Sequence, residues 1–324
     1  MNSEVMPVGH LTLDQVRTVM RACAAAPPVR NERPWRLVCT PTALELRAEL
    51  PNPETSSDGS ASGPAHSRTD RSADRAADSA ARSSGDRSGP DGRELLLSCG
   101  AALLNVRATI KVLGAHPAVR LMPDENQPDL LAVVHPQAGS AAAPADLALA
   151  EAIAQRRTSQ APADGIPVPM INRLRQAARV EQTWLAILAP DQLEDVQLGH
   201  LDGGAQARGG SADDIGGASG RPAADRSNVV VAVVGSFHDS PRAWLQSGQG
   251  MQRVLLTADA AGLTTSLLSH AVRETRTRGL VRDLIGGGVW PQAVLRLECP
   301  APSSAPRPAS PGVPRGAMHR SSTR

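Results

Sequence analysis

This sequence of 324 residues predicts a mixed α/β protein built from two similar halves. Three observations carry that expectation. Stretches with helical periodicity alternate with short apolar runs bounded by turn residues. Two long helical stretches align without gaps at an offset of 148, with Gly100 on Gly248, Leu103 on Met251, Val106 on Val254, Thr109 on Thr257 and Gly114 on Gly262; such a match points to an internal duplication. Three segments, 55–91, 199–227 and 300–324, are made largely of Ser, Asp, Arg, Ala, Gly and Pro and read as flexible, because they cannot bury enough apolar area to offset the entropy of ordering. Roughly 235 residues remain, ample for one substantial core.

The elements follow in order. Thr12 with Gln15 three residues on forms a capping box, and Leu13, Val16, Val19, Met20 and Cys23 share one face of a helix reaching about Ala26. Arg36–Thr40 and Ala43–Glu49 flank Pro41-Thr42 as a hairpin. Asp91 caps a long helix with Glu94 at its third position, ending at Gly114. Strands follow at Val119–Met122 and Leu130–His135, closing a first half made of 1–54 and 92–136. After a small linker, the second half, 145–198 and 228–299, opens with a helix from Asp146 to about Thr158. A helix starting at Pro169 runs to Arg179, and Thr183–Leu188 is a strand. Val229–Gly235 is apolar throughout, the pattern of a strand buried on both faces. Pro241 opens the second long helix; a strand at Thr264–Leu268, a helix near Arg278–Ile285 and a strand at Ala293–Cys299 complete the chain. A glycine inside a helix costs about 1 kcal/mol against alanine, so Gly100 and Gly248 at equivalent places predict two helices in close approach.

Composition excludes several functions. Phe237, four tryptophans and no tyrosine leave no stacking platform for single-stranded nucleic acid. Lys111 is the sole lysine among 34 basic residues, yet 32 acidic residues hold the net charge at +2, so no basic field draws the chain to nucleic acid or anionic lipid. The apolar run 228–237 is about half the ~20 residues of a membrane span, and residues 1–11 lack a signal-peptide pattern. A soluble, cytoplasmic protein is expected. Cys23, Cys39, Cys99 and Cys299 are far apart and the histidines scattered, so no metal site is expected and the thiols read as buried and reduced. Phosphate-cradling glycine motifs and a serine-hydrolase elbow are both missing.

Two segments can carry chemistry. Residues 26–36, Ala-Pro-Pro-Val-Arg-Asn-Glu-Arg-Pro-Trp-Arg, combine a proline-stiffened turn, the donor and acceptor groups of Asn31 and the flat wall of Trp35, which suits the edge and face of a heterocycle; helix termination and core plugging is the bland alternative. Residues 155–160, Gln-Arg-Arg-Thr-Ser-Gln, place two guanidinium forks beside two hydroxyls, as a terminal phosphate requires; arginines solvated at a helix end are the alternative.

In order and spacing, these segments resemble the FMN-dependent nitroreductase family, in particular its Acg-type branch, where two nitroreductase-like halves share one chain. The resemblance is carried by Ala26-Pro27 with Asn31 to Arg36, by Arg93-Glu94-Leu95-Leu96 with Cys99-Gly100-Ala101, by Arg156-Arg157-Thr158, and by Ala261-Gly262-Leu263 with Leu280-Val281, Leu284 to Gly286 and Pro291 to Ala293. It implies an α+β fold of duplicated half-domains, with mostly antiparallel sheet, long central helices and a flavin between the halves. It also implies that Arg156, Arg157, Thr158 and Gln160 lie at the FMN phosphate and Pro28, Arg30 and Asn31 at the ring. Leu268, Ser269 and His270 would border the flavin N5 edge, and Arg307 would add a tail contact. Where the family has a serine after Ala-Pro, this chain has Pro28; where it has glutamine before Pro-Trp, Arg33; where it has a further arginine, Gln160.

The expected activity is thus a flavin-dependent oxidoreductase using NAD(P)H and a small nitro, quinone or similar acceptor. The cofactor carries that chemistry, so no catalytic side chain is singled out. The alternative is a protein of the same fold that sequesters FMN or has lost turnover. Nucleic acid and membrane are not expected partners, and the chain is expected to be a monomer mimicking a dimer, or a weak homodimer.

Overall fold

Helix α1 (Leu13–Ala24) starts where its capping box places it: the Gln15 amide donates to Thr12 Oγ1, and the Thr12 amide donates to Gln15 Oε1. Residues 5–29, 33–49, 89–154, 166–188 and 229–299 are described by the structure, a computed structural model. Strands β1 (Trp35–Cys39) and β2 (Leu44–Ala48) form the expected hairpin. Helix α2 (Pro90–Val112), β3 (Ala115–Leu121) and β4 (Leu130–Ala138) complete the first half. Helices α3 (Pro144–Ala154) and α4 (Val168–Val180) precede β5 (Trp184–Leu188), β6 (Val229–Ser236) and α5 (Pro241–Ala260). Then come β7 (Thr264–Leu267), α6 (His270–Arg273), α7 (Thr275–Leu284) and β8 (Trp290–Glu298).

With α3, α6 and α7 set aside, the same helix–strand–strand–helix–strand–strand order occurs twice. Both sheets are antiparallel, and β5-β6-β8-β7 repeats the strand order β1-β2-β4-β3. The architecture is α+β, with the two long helices α2 and α5 against each other at its centre.

The glycine seam explains that contact. A Cβ on Gly100 would sit 2.1 Å from the Leu245 carbonyl oxygen, and one on Gly248 would sit 2.1 Å from that of Leu97. Leu97 and Leu245 are themselves 148 apart, so the helices cross about a pseudo-two-fold axis at which each backbone occupies the space a side chain would need. One apolar core spans both halves, from Val16 and Leu44 through Leu103 and Ile110 to Met251, Val254 and Leu295. Helix α2 is long and apolar enough to cross a membrane, but 78% of its most apolar stretch is buried in the protein.

Several boundaries differ from expectation. Helix α2 is capped by Gly89 rather than Asp91, because Pro90 takes its first position, where the missing N–H is no loss. Asp91 instead pairs with Arg273 at 2.9 Å. Strand β3 starts at Ala115, not Val119, since it pairs with β4 along its whole length. For the same reason β4 runs past residue 136 to Ala138. Strand β8 starts at Trp290, drawn out by pairing with β6 as far as Ser236. Helix α6 is a single turn, too short to show a period. The four thiols are buried and form no disulfide, and burial pushes Cys23 up to about 12. Of the segments expected to be flexible, 55–88, 199–227 and 300–324 lie outside the described residues, whereas 89–91 form the cap and first residues of helix α2.

Candidate functional site

A cleft opens where the N-terminal end of α2 meets the end of β7 and the start of α6. The first half contributes Val29, Arg93, Glu94 and Leu97. Met251, Leu267, Ser269, Val272, Gln292 and Ala293 of the second half face them. The walls enclose about 260 Å3 counted to the open mouth, of which about 10 Å3 is open to the centre of a water molecule, room for about one water.

Local structure fixes each wall. The Val29 amide donates to Ser98 Oγ at 2.9 Å, tying the loop after α1 to α2, and Ser98 Oγ donates back to the Glu94 carbonyl. Beyond β7, the Leu268 amide donates to the Val294 carbonyl at 2.8 Å, which holds the chain against β8 just before Ser269. Gln292 is fully buried and donates to Ser236 Oγ at 2.9 Å. Behind it Asp239 receives both terminal nitrogens of Arg278, at 2.6 and 2.7 Å, and the Trp244 indole N–H at 2.6 Å. Burial alone would raise the Asp239 carboxyl, but these donors, Arg278 foremost, bring it to about 2.

Arg93 is the group that does not fit a purely structural account. It is 5% exposed, and its terminal nitrogen donates to the Val272 carbonyl across the cleft. Its Nε has no hydrogen-bond partner. Arg273 takes Glu94 and Asp91, and Arg278 takes Asp239, so Arg93 makes no ion pair among the described residues. Burial, reinforced by the Arg278 charge, brings Arg93 down to about 10. A buried polar atom without a partner costs on the order of 1–3 kcal/mol, and Ser247 Oγ and Gln252 Oε1, away from the cleft, share that state with Arg93 Nε.

Of the residues singled out from the sequence, Ser269 lines the cleft. Pro28 and Leu268 each precede or follow a lining residue, Val29 or Leu267, and His270 is exposed at the start of α6. Arg30, Asn31, Arg156, Arg157, Thr158, Gln160 and Arg307 lie outside the described residues. Arg93, Glu94 and Gln292 were not singled out as site residues. A usable signal was present for the first two: adjacent charges in the first turn of a helix that is otherwise apolar nearly all round.

No family model matches the chain. Over 92% of its length, and 89% of theirs, the chain is 27% identical to the Mycobacterium tuberculosis protein named "Putative NAD(P)H nitroreductase Rv3131". The chain is nitroreductase-like. A second Mycobacterium tuberculosis relative, "Putative NAD(P)H nitroreductase acg", is 23% identical over 95% of the chain and 96% of its own length. Among solved structures, a Bacteroides fragilis nitroreductase with bound FMN superposes on 53% of the chain and 98% of itself, with TM-score 0.36 and 14% identity. A superposition this loose has no bearing on the chemistry.

The cleft sets apolar walls from Leu97, Met251 and Val272 beside the polar groups of Arg93, Glu94, Ser269 and Gln292, with room for about one water between them. Entry of a ring requires the closely spaced walls to part.

Proposed function

We propose that this chain binds FMN in the cleft between its halves and passes electrons from NAD(P)H to a nitro, quinone or similar small acceptor. The observation that carries the reading is similarity along 92% of the chain to proteins named for NAD(P)H nitroreductase activity. When bound, FMN supplies the hydride chemistry. The chain's own residues then do three things. Val29, Leu97, Met251 and Val272 keep water from the ring face, Ser269 and the backbone beside it border one edge, and Arg93 supplies positive charge from the opposite half.

The same reading takes the two halves as descendants of one duplicated unit, each standing where a protomer of a dimer would, in a cytoplasmic protein that functions as a monomer. Arg156, Arg157 and Thr158 are the proposed phosphate contacts, with Pro28, Arg30 and Asn31 at the ring.

Reconstitution tests it. The purified full chain mixed with FMN should quench flavin fluorescence, turn yellow, and oxidise NADH or NADPH only when a quinone or nitroaromatic is added. A protein that leaves FMN fluorescence unchanged would overturn the proposal. Bound FMN without acceptor-dependent oxidation would replace it with flavin sequestration, which the narrow cleft favours as the second reading.

A further inference from the structure

We propose that the outer edge of β5 takes up an extended acidic peptide of a partner protein, which adds as a further strand to the second sheet and sets alternate carboxylates on Arg175 and Arg179.

An unpaired sheet edge offers a row of backbone amides and carbonyls to any extended chain, and charge, proline or very short length on the edge strand discourages that pairing. Four strands end the two sheets: β1, β3, β5 and β7. Strand β1 carries Arg36, β3 carries Pro117 and Arg120, and β7 has only four residues, three of them hydroxylic. Strand β5, Trp-Leu-Ala-Ile-Leu, has neither charge nor proline. Among the described residues it pairs with β6 alone.

A groove follows that edge. Trp184 to Ile187 all line it, and since successive side chains of a strand point to opposite faces, a groove touching four in a row runs along the edge itself. Helix α4, packed on the inner face of the sheet, flanks the groove with Arg175 and Arg179; the end of α7, on the outer face, flanks it with Leu284 and Ile285. About 390 Å3 is open to the centre of a water molecule, against about 10 Å3 in the cleft. Trp184 and Phe237, 42% and 64% exposed, meet edge to face at one end and form an apolar anchor.

Charge and spacing decide the peptide. Arg175 and Arg179 are one helical turn apart, which sets their Cβ atoms about 5–6 Å from each other. Side chains two apart on a strand are spaced about 6.6–6.8 Å, so carboxylates at alternate positions of an added strand meet both guanidiniums. Among the described residues neither arginine has an ion pair, and Arg179 lies over the Trp184 ring at 5.4 Å. Helix α4 itself carries no acid, and Glu181 at its end is taken by Arg107 and Arg253. A peptide backbone alone supplies both the donors and the acceptors that a strand edge calls for.

Solvated arginines beside an idle edge are the competing account. The full-length protein is titrated, by fluorescence anisotropy, with a labelled heptapeptide of alternating glutamate and valine. Saturable binding is expected, weakened about tenfold or more in Arg175→Gln/Arg179→Gln at unchanged melting temperature. A peptide of the same composition with its glutamates contiguous should bind about tenfold more weakly. Methylating the amides along one edge of the alternating peptide should abolish binding, and methylating those of the other edge should leave it, because an added strand pairs through one edge only. Arg175→Glu/Arg179→Glu should exchange this peptide for one of alternating lysine and valine. Absence of saturable binding to the parent overturns the proposal, as does parental affinity in the glutamine variant. Equal binding of the contiguous peptide, or of both methylated peptides, reduces the groove to charge attraction and overturns it too. Concentration-dependent dimerisation of the parent that the glutamine substitutions abolish assigns the edge to a second copy instead. If the glutamine variant melts lower than the parent, the methylated peptides, which need only the parent protein, decide by the same criterion.

Discussion

The two halves share a topology but cover their sheets differently. In the first, the outer face of β2 carries Glu45 and Arg47, which pair at 2.8 Å, and Arg47 also reaches Asp129 at 2.7 Å. That face is polar, and β2 alternates between buried and half-buried residues. In the second half, α6 and α7 are inserted between β7 and β8 and lie over the outer face. Val272 and Val281 there pack on Val231, Val233 and Val294. A sheet covered on both sides needs apolar residues at every position, which is why β6 reads as a continuous apolar run. The insertion that covers this sheet also supplies Val272, and with it one wall of the cleft. Repetition built the scaffold, and the place where repetition breaks built the site.

A second contrast lies at positions 105 and 253, which are 148 apart. Asn105 donates to the Ala22 carbonyl at the end of α1, at 2.9 Å. Arg253 instead pairs with Glu181 at the end of α4, at 2.8 Å, and Arg107 joins from α2 at 2.6 Å. Burial would raise the Glu181 carboxyl, but Arg107 and Arg253 outweigh it and hold it below its ordinary value. One helix end is thus fixed by a neutral amide and its counterpart by a buried charge.

These comparisons can be broken experimentally. The largest effect belongs to the feature both halves share. Gly248→Ala and Gly100→Ala each drive a methyl into a backbone carbonyl, and each should lower stability by about 3 kcal/mol in denaturant unfolding. A loss below that of an ordinary surface substitution would show that the helices do not cross so closely. Next, Glu181→Gln leaves two guanidiniums without their carboxylate and should cost about 3 kcal/mol, against about 1 kcal/mol for Asn105→Ala; equal costs would erase the contrast between the helix ends.

Asp239→Asn should cost about 1–2 kcal/mol at neutral pH. The Asp239 carboxyl lies at about 2 in the folded chain against 3.8 ordinarily, so its contribution is present above about pH 4 and fades as the pH falls towards 2. Parent and variant melting temperatures should therefore converge on acidification. A gap that persists at pH 2 would assign the effect to packing. The smallest effect is expected from Arg47→Ala on the uncovered sheet face, about 0.5 kcal/mol and shrinking with added salt.

The sequence by itself determined what local chemistry and periodicity can specify. The Thr12 cap, the β1–β2 hairpin, the seven apolar residues at the start of β6 and the two long helices all follow from spacing. The offset of 148 even identified the glycines at the crossing, because a glycine inside a helix is costly unless something occupies its side-chain space. Tertiary structure alone decided the rest. Strand ends at Ala115, Ala138 and Trp290 were set by partners distant in the chain. Arg93 looked like one charge in the first turn of a helix; its burial, its bridge to Val272 and its free Nε arise only when α2 meets an insertion nearly 180 residues later. Burial and hydrogen-bond satisfaction belong to the assembled surroundings of an atom, and residue type and spacing do not encode them.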